Sequence, residues 1–261
     1  MLYLNVYSKF ETKKRLDLAK LISQPLEGIV KGIILGGSMG FGQNFSVTAK
    51  SDIDTVVICD KDKIDKLLQT DYFKTHSEQE VIDLFKKGTI NFFWVTREIN
   101  DIEVNAFVYE TKGYVDFCLL KGNLTGYVHN KPSEIQIGWG FSGEQLDVKR
   151  NVRDFNSGFL YEKPALANGK YWGRVPNQDF FYSGHIIYEE DSFLSQLERD
   201  VWRTTIQKLK EECGENPDLD KCNVLNTHWS YHKARGRLPD SVIQNIKRRT
   251  EQELGRGPLE N

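Results

Sequence analysis

Hydrophobic and polar positions change their period several times along the chain, and each change predicts an element. From Lys13 to Gln24, Leu18, Leu21 and Ile22 share one helical face, and Pro25 ends the run. Ile29–Leu35 is a short apolar run of buried-strand type, and Gly36–Asn44 is Gly-rich. Ile53–Cys59 is β-branched and strand-like. Ser77-Glu78-Gln79-Glu80 has the form of a capping box, with Val81, Leu84 and Phe85 following at helical spacing. Ile90–Val95, Ile102–Tyr109 and Tyr114–Leu120 read as three further strands, the last two joined by a hairpin turn at Glu110-Thr111-Lys112-Gly113.

This alternation of helix and strand, ending in a meander, predicts an α/β (α+β) fold with a mixed sheet over residues 1–125. Residues 121–180 are rich in Gly, Asn, Pro and aromatics and give no regular period. Ile186–Tyr188 reads as one more short strand. Ser192–Glu211 reads as an amphipathic helix with Leu194, Leu197, Val201, Ile206 and Leu209 inward. Pro239-Asp240-Ser241 is a helix start before Val242, Ile243, Ile246 and Leu254. The expected organisation is a core at 1–125, an extension of it at 126–190 and a helical C-terminal region at 191–261.

Composition narrows the class. The chain has 261 residues, with 39% hydrophobic and 28% charged, so a sizeable core and an ordinary globular surface are expected. The net charge of −2 argues against a grip on long nucleic acid, which takes most of its affinity from basic residues on phosphates. Residues 231–261 are locally basic, with seven Lys or Arg against four Asp or Glu, and read as a solvated helix face. No apolar run reaches membrane-spanning length and the N-terminus has no secretory pattern. Cys59, Cys118, Cys213 and Cys222 form no CxxC pair and are expected to be reduced thiols in a cytoplasmic protein.

The candidate chemistry lies in Leu35-Gly36-Gly37-Ser38-Met39-Gly40-Phe41-Gly42 and in Ser51-Asp52-Ile53-Asp54-Thr55-Val56-Val57. Residues i and i+2 of a strand point to one face, so Asp52 and Asp54 project together. Two carboxylates about 5 Å apart repel by roughly 3 kcal/mol at an effective dielectric of about 20. Either one protonates or a hard cation offsets the repulsion; Mg²⁺ suits carboxylate oxygens and keeps substrate phosphates as further ligands. Glycines let backbone N–H groups approach a phosphate closely, and Ser38 adds a hydroxyl donor. Together the two segments offer a phosphate cradle and a metal-binding pair, the equipment for a metal-assisted in-line displacement at phosphorus.

Strand, Gly37-Ser38, short helix, then Ser51-Asp52-Ile53-Asp54 opening a strand resembles the signature of the nucleotidyltransferase superfamily, the DNA-polymerase-beta-like fold. The likeness covers about residues 15–120 and is nearest to small-molecule, antibiotic-modifying members. It implies a Mg²⁺-dependent transfer of a nucleoside monophosphate from a triphosphate, expected to be ATP, to a hydroxyl of a small-molecule acceptor, with pyrophosphate released. It implies that Gly37 and Ser38 bind the nucleotide and that Asp52 and Asp54 hold one or two Mg²⁺ ions. It also implies a third carboxylate, which would bind metal or act as base on the acceptor. Asp116, a lone acid in the expected apolar strand Tyr114–Leu120, is the first candidate; Glu103, on the partner strand, is the second. A structural partner for Asp116, a Lys or an Arg, is the competing explanation.

Fourteen positions separate Ser38 from Asp52, more than these families show, and the extra residues fall in Phe41–Lys50. Lys247-Arg248-Arg249 keeps open a transferase acting on a protein or a tRNA end, and a non-catalytic nucleotide-binding module is the other rival. His228 and His232 lack a well-spaced third ligand for zinc, and Gly40-Phe41-Gly42 lacks the third glycine of a dinucleotide fingerprint. The acceptor, the preferred nucleotide and the oligomeric state are not legible.

Overall fold

The structure is a computed structural model that describes residues 6–36, 39, 47–74, 79–119, 121–122, 124–128, 131–137, 170–174, 180, 185–219 and 240–256. Gly37, Ser38, residues 41–46, the Ser77-Glu78 start of the capping box, His228, His232 and Pro239 lie outside the described residues.

In chain order the elements are α1 (Val6–Ser23), β1 (Gly32–Leu35), β2 (Ile53–Cys59), the short α2 (Ile64–Leu68), α3 (Gln79–Lys87), β3 (Phe92–Ile99) and β4 (Ile102–Glu110). They continue with α4 (Thr111–Cys118), β5 (Leu124–Val128), β6 (Lys131–Ile137), β7 (Lys170–Arg174), β8 (His185–Glu189), α5 (Phe193–Cys213) and α6 (Asp240–Glu253). The strands form one mixed sheet in the order β7-β6-β5-β3-β4-β2-β1-β8. β2 runs parallel to β4 and antiparallel to β1; β3 and β4 are an antiparallel hairpin. Its turn is Asn100-Asp101, both at positive φ (52° and 60°), a conformation those two residue types tolerate well.

The strand period of two sorts the side chains onto two faces. On one face Ile33, Leu35, Ile53, Val57, Val104, Ala106 and Val108 pack against Leu18 and Ala19 of α1, Ile64 of α2 and Phe85 of α3. On the other, Ile34, Val56, Ile58, Phe107 and Tyr109 pack against Phe117 of α4 and Leu194, Leu197 and Val201 of α5. The mixed α/β character expected from the sequence is therefore observed, with helices on both faces.

One expected strand is a helix. Residues 114–120 were expected to be strand after a hairpin turn at 110–113, but residues 111–118 are α4. The Glu110 carboxylate accepts hydrogen bonds from the backbone N–H of Lys112 (3.1 Å) and Gly113 (2.6 Å), which satisfies the helix's first donors. Lys112 pairs with Asp116 one turn later. Tyr114, Phe117 and Cys118 are buried at i, i+3 and i+4, a spacing that serves a helix as well as the alternation serves a strand.

Cys59 and Cys118 are free and buried, as expected, whereas Cys213 at the end of α5 is disulfide-bonded, against the expectation of four reduced thiols. Sequence spacing alone carries no signal for such a bond. Among the described residues no helix is long and apolar enough to cross a membrane.

Candidate active site

β1 and β2 pair side by side and are buried along their whole length, as strands covered by helices on each side must be. Their pairing carries Leu35 opposite Thr55, and the next residue, Gly36, donates its N–H to the Asp54 carbonyl at 2.7 Å. Gly36, the residue before Gly37-Ser38 in the sequence, therefore stands directly beside Asp54. Asp52 and Asp54 share the phase of Val56 and Ile58, so they lie on the α4–α5 face of the sheet. Asp54 is 8% exposed; Asp52, just before the strand, is half-buried.

The neighbouring strand β4 sets Asn105 beside Asp54 in register. Asn105 is 2% exposed. Its Nδ2 donates to Asp54 Oδ1 and to Glu103 Oε1, each at 3.2 Å. On the far side, β3 places Thr96 opposite Asn105 and Glu98 opposite Glu103. Trp94 Nε1 and Thr96 Oγ1 both donate to Asn105 Oδ1, at 3.1 and 2.7 Å. The Trp94 ring leans on Phe107, 4.9 Å between centroids. This face thus has two halves. Towards the C-terminal ends of β2 and β4 it is apolar and covered by α4 and α5. Towards their N-terminal ends it carries Asp52, Asp54, Glu103 and Asn105, with Glu98, Glu103 and Thr96 exposed. Trp94 stands at the border.

Asp116 is not on the strand beside β2. It is on α4, which begins after Glu110, and Glu110 pairs with Cys59 at the opposite end of β2 from Asp54. Cys59 is five residue steps along the strand from Asp54, about 17 Å. Asp116 is paired with Lys112. The strand that does adjoin β2 carries Glu103, in phase with Asp54 through Asn105. Among the described residues no three of His, Cys, Asp and Glu come close enough together to hold a metal ion.

Two contributors were not singled out from the sequence. Asn105 has neighbours from three strands and no local motif. Arg15 is the other. It lies on α1 at 1% exposure, in the helical phase of Leu18, Ala19 and Ile22, and a cation in an apolar phase was its visible signal. Its guanidinium is bonded to the Glu11 carboxylate and donates to the carbonyls of Ser51 (2.6 Å) and Ala49 (2.9 Å). Ser51 also closes the turn before the strand, its N–H donating to the Thr48 carbonyl at 3.0 Å and its Oγ accepting from the Thr48 N–H at 3.0 Å. Arg15 therefore clamps the turn from which Asp52 projects.

Behind the carboxylates, on the opposite face, Tyr72 is buried and its hydroxyl is within hydrogen-bonding distance of the Val104 carbonyl (2.7 Å). Burial pushes that phenol well above its ordinary pKa; Arg97 opposes the rise, and the negative fields of Asp54 and Glu103 add to it. Comparison with family models finds no match, and comparison with curated proteins finds no relative.

Proposed function

We propose that the chain is a Mg²⁺-dependent nucleotidyltransferase with a DNA-polymerase-beta-like core, moving a nucleoside monophosphate from a triphosphate such as ATP to a hydroxyl of a small-molecule acceptor. The observation that carries this reading is the juxtaposition at the start of β2. Asp52 and Asp54 share one face, and Gly36, bonded to Asp54, leads straight into Gly37-Ser38. Gly36, the last described residue before that Gly-rich segment, is thus bonded to one of the two carboxylate-bearing residues.

The carboxylate pair suits a hard divalent cation: oxygen donors, one side chain buried and one half-buried, that leave the ion's remaining positions to substrate phosphates. In this reading Asp52 and Asp54 hold the ion, and Glu103 takes the place of Asp116 as the base on the acceptor rather than as a metal ligand. The bound ion would neutralise charge on the phosphates during transfer. The chain's own residues do the rest. Gly37 and Ser38 hold the phosphates, Arg15 fixes the turn bearing Asp52, and Glu103, exposed beside Asn105, accepts the proton of the acceptor hydroxyl. The net charge of −2 favours a small acceptor over a polynucleotide.

A second reading, a nucleotide-binding module without catalysis, is favoured by the position of Asp116 at the other end of β2. One assay separates the two. A labelled triphosphate is incubated with an acceptor panel, with and without Mg²⁺. Transfer should require Mg²⁺, and Asp54→Asn should abolish it with circular dichroism unchanged. A wild-type protein that binds the triphosphate and transfers nothing across the panel favours the second reading. Undiminished transfer by Asp54→Asn overturns the first.

A further inference from the structure

α1 gives one side to the sheet and the other to solvent. Arg15, Leu18 and Ala19 are buried. The exposed residues from Lys9 to Leu21 fall within an arc of about 140°. Phe10 and Leu21 lie near its middle, each 64% exposed, and they are the exposed large hydrophobics among the described residues. Eleven residues separate them, about three turns, so they point the same way about 16 Å apart. Lys9, Lys13 and Lys20 follow one edge of the arc and Lys14 the other. Lys13 is paired with Asp17. Lys9, Lys14 and Lys20 leave the face net positive, on a chain whose net charge is −2.

We propose that this face of α1 docks reversibly on an anionic phospholipid surface. Phe10 and Leu21 enter the acyl boundary while Lys9, Lys14 and Lys20 meet lipid phosphates. Apolar anchors flanked by lysines, on a helix lying along the protein surface, are the equipment of an interfacial helix. Charge and spacing choose this occupant over others. A second copy would set one positive face against another. A protein groove takes up a continuous apolar ridge, but Asp17 and Lys14 lie between these two anchors. A fluid surface needs no such continuity. Duplex nucleic acid would use the lysines and leave Phe10 and Leu21 in water. Each lysine near an anionic membrane strengthens binding about fivefold, so three contribute about a hundredfold. Docking asks nothing of the carboxylates on β2.

The test is co-sedimentation of the full chain with phosphatidylcholine vesicles, with and without phosphatidylglycerol. Binding should require phosphatidylglycerol and weaken as salt rises. Lys14→Gln combined with Lys20→Gln should lower affinity about 25-fold. Phe10→Ser and Leu21→Ser should each lower it roughly tenfold, since each side chain is only partly covered before docking. All four side chains are exposed, and unchanged circular dichroism confirms that each variant is folded. If the serine variants bind anionic vesicles as the wild type does, the contact is electrostatic adsorption alone and the docking surface is overturned. It is overturned equally if the wild type ignores anionic vesicles. A chain that ignores them but sediments as a dimer, and as a monomer after Phe10→Ser, assigns the face to a second copy instead.

Discussion

Arg15 shows how much a single side chain is asked to do. A guanidinium at 1% exposure is expensive to bury unless its donors are satisfied, and here they go to the Glu11 carboxylate and to the carbonyls of Ser51 and Ala49. Removing one partner of a buried pair costs more than the pair itself contributes, because the survivor stays buried and uncompensated. Arg15→Ala should therefore destabilise the protein by about 3–5 kcal/mol, read as a lowered urea midpoint. Arg15→Lys keeps the charge but cannot reach two carbonyls and a carboxylate with a planar fork, so it should recover only part of that loss. A loss below about 1 kcal/mol for Arg15→Ala would mean that the turn holding Asp52 is stable by itself. The sequence hinted at this residue by placing it among Leu18, Ala19 and Ile22. What it could not convey was the distant carbonyls to which the side chain is bonded.

Elements were readable where one period had no rival. β2 was legible to the residue, because five of the seven residues of Ile53–Cys59 are β-branched and the run is too short for a helix. α5 was legible because its apolar residues recur over five turns. Residues 114–118 were not, because Tyr114–Leu120 is a short run, apolar except at Asp116, that suits a buried strand as well as a buried helical turn. What decides the matter is Glu110, whose carboxylate caps α4. Glu110→Ala should cost about 1 kcal/mol in a urea titration. The β1–α5 contact is more demanding. A Cβ on Gly32 would stand 2.5 Å from Leu194 Cδ1 and 2.6 Å from its Cγ, and Leu194 is fully buried. Gly32→Ala must displace the buried Leu194 side chain, at about 1–3 kcal/mol. An unchanged urea midpoint would show that Leu194 turns aside at no cost.

At the scale of the whole molecule, the site is a product of strand order. Asp54, Asn105, Thr96 and Trp94 come from three strands, and only the order β3-β4-β2-β1 and its registers bring them together. Neither order nor register is written in a single segment, which is why the Asp52/Asp54 pair was legible and its surroundings were not. The same sheet closes at β8, where two carboxyls tie the far edge to its neighbours. Burial would raise the Glu189 pKa, but hydrogen bonds from the Ser195 hydroxyl and the Ser195 and Leu194 backbone lower it on balance. A hydrogen bond from Lys31 holds Glu190 below the usual carboxylate range. A folded pKa below the unfolded one adds stability above the unfolded value of about 4.3, and that stability is lost as pH falls through the folded pKa. Urea midpoints from these groups should be level between about pH 7 and pH 5.5 and fall below about pH 4.3. Glu189→Gln should flatten that fall; an equally steep fall in the variant would place the acid sensitivity elsewhere.

The β2–β4 register also makes the two bridged carboxylates mechanically unequal. Asp54 lies inside the β2–β4 ladder, and its carbonyl accepts the Gly36 N–H just past the end of the β1–β2 ladder, so moving its backbone strains both neighbours at once. Glu103 lies one residue outside the β2–β4 ladder, two residues past the Asn100-Asp101 turn, and is held by β3 alone. One acid is a stiff post and the other rides on a springy tip. Any displacement at this end of the sheet therefore falls to the hairpin and leaves Asp54 where it is.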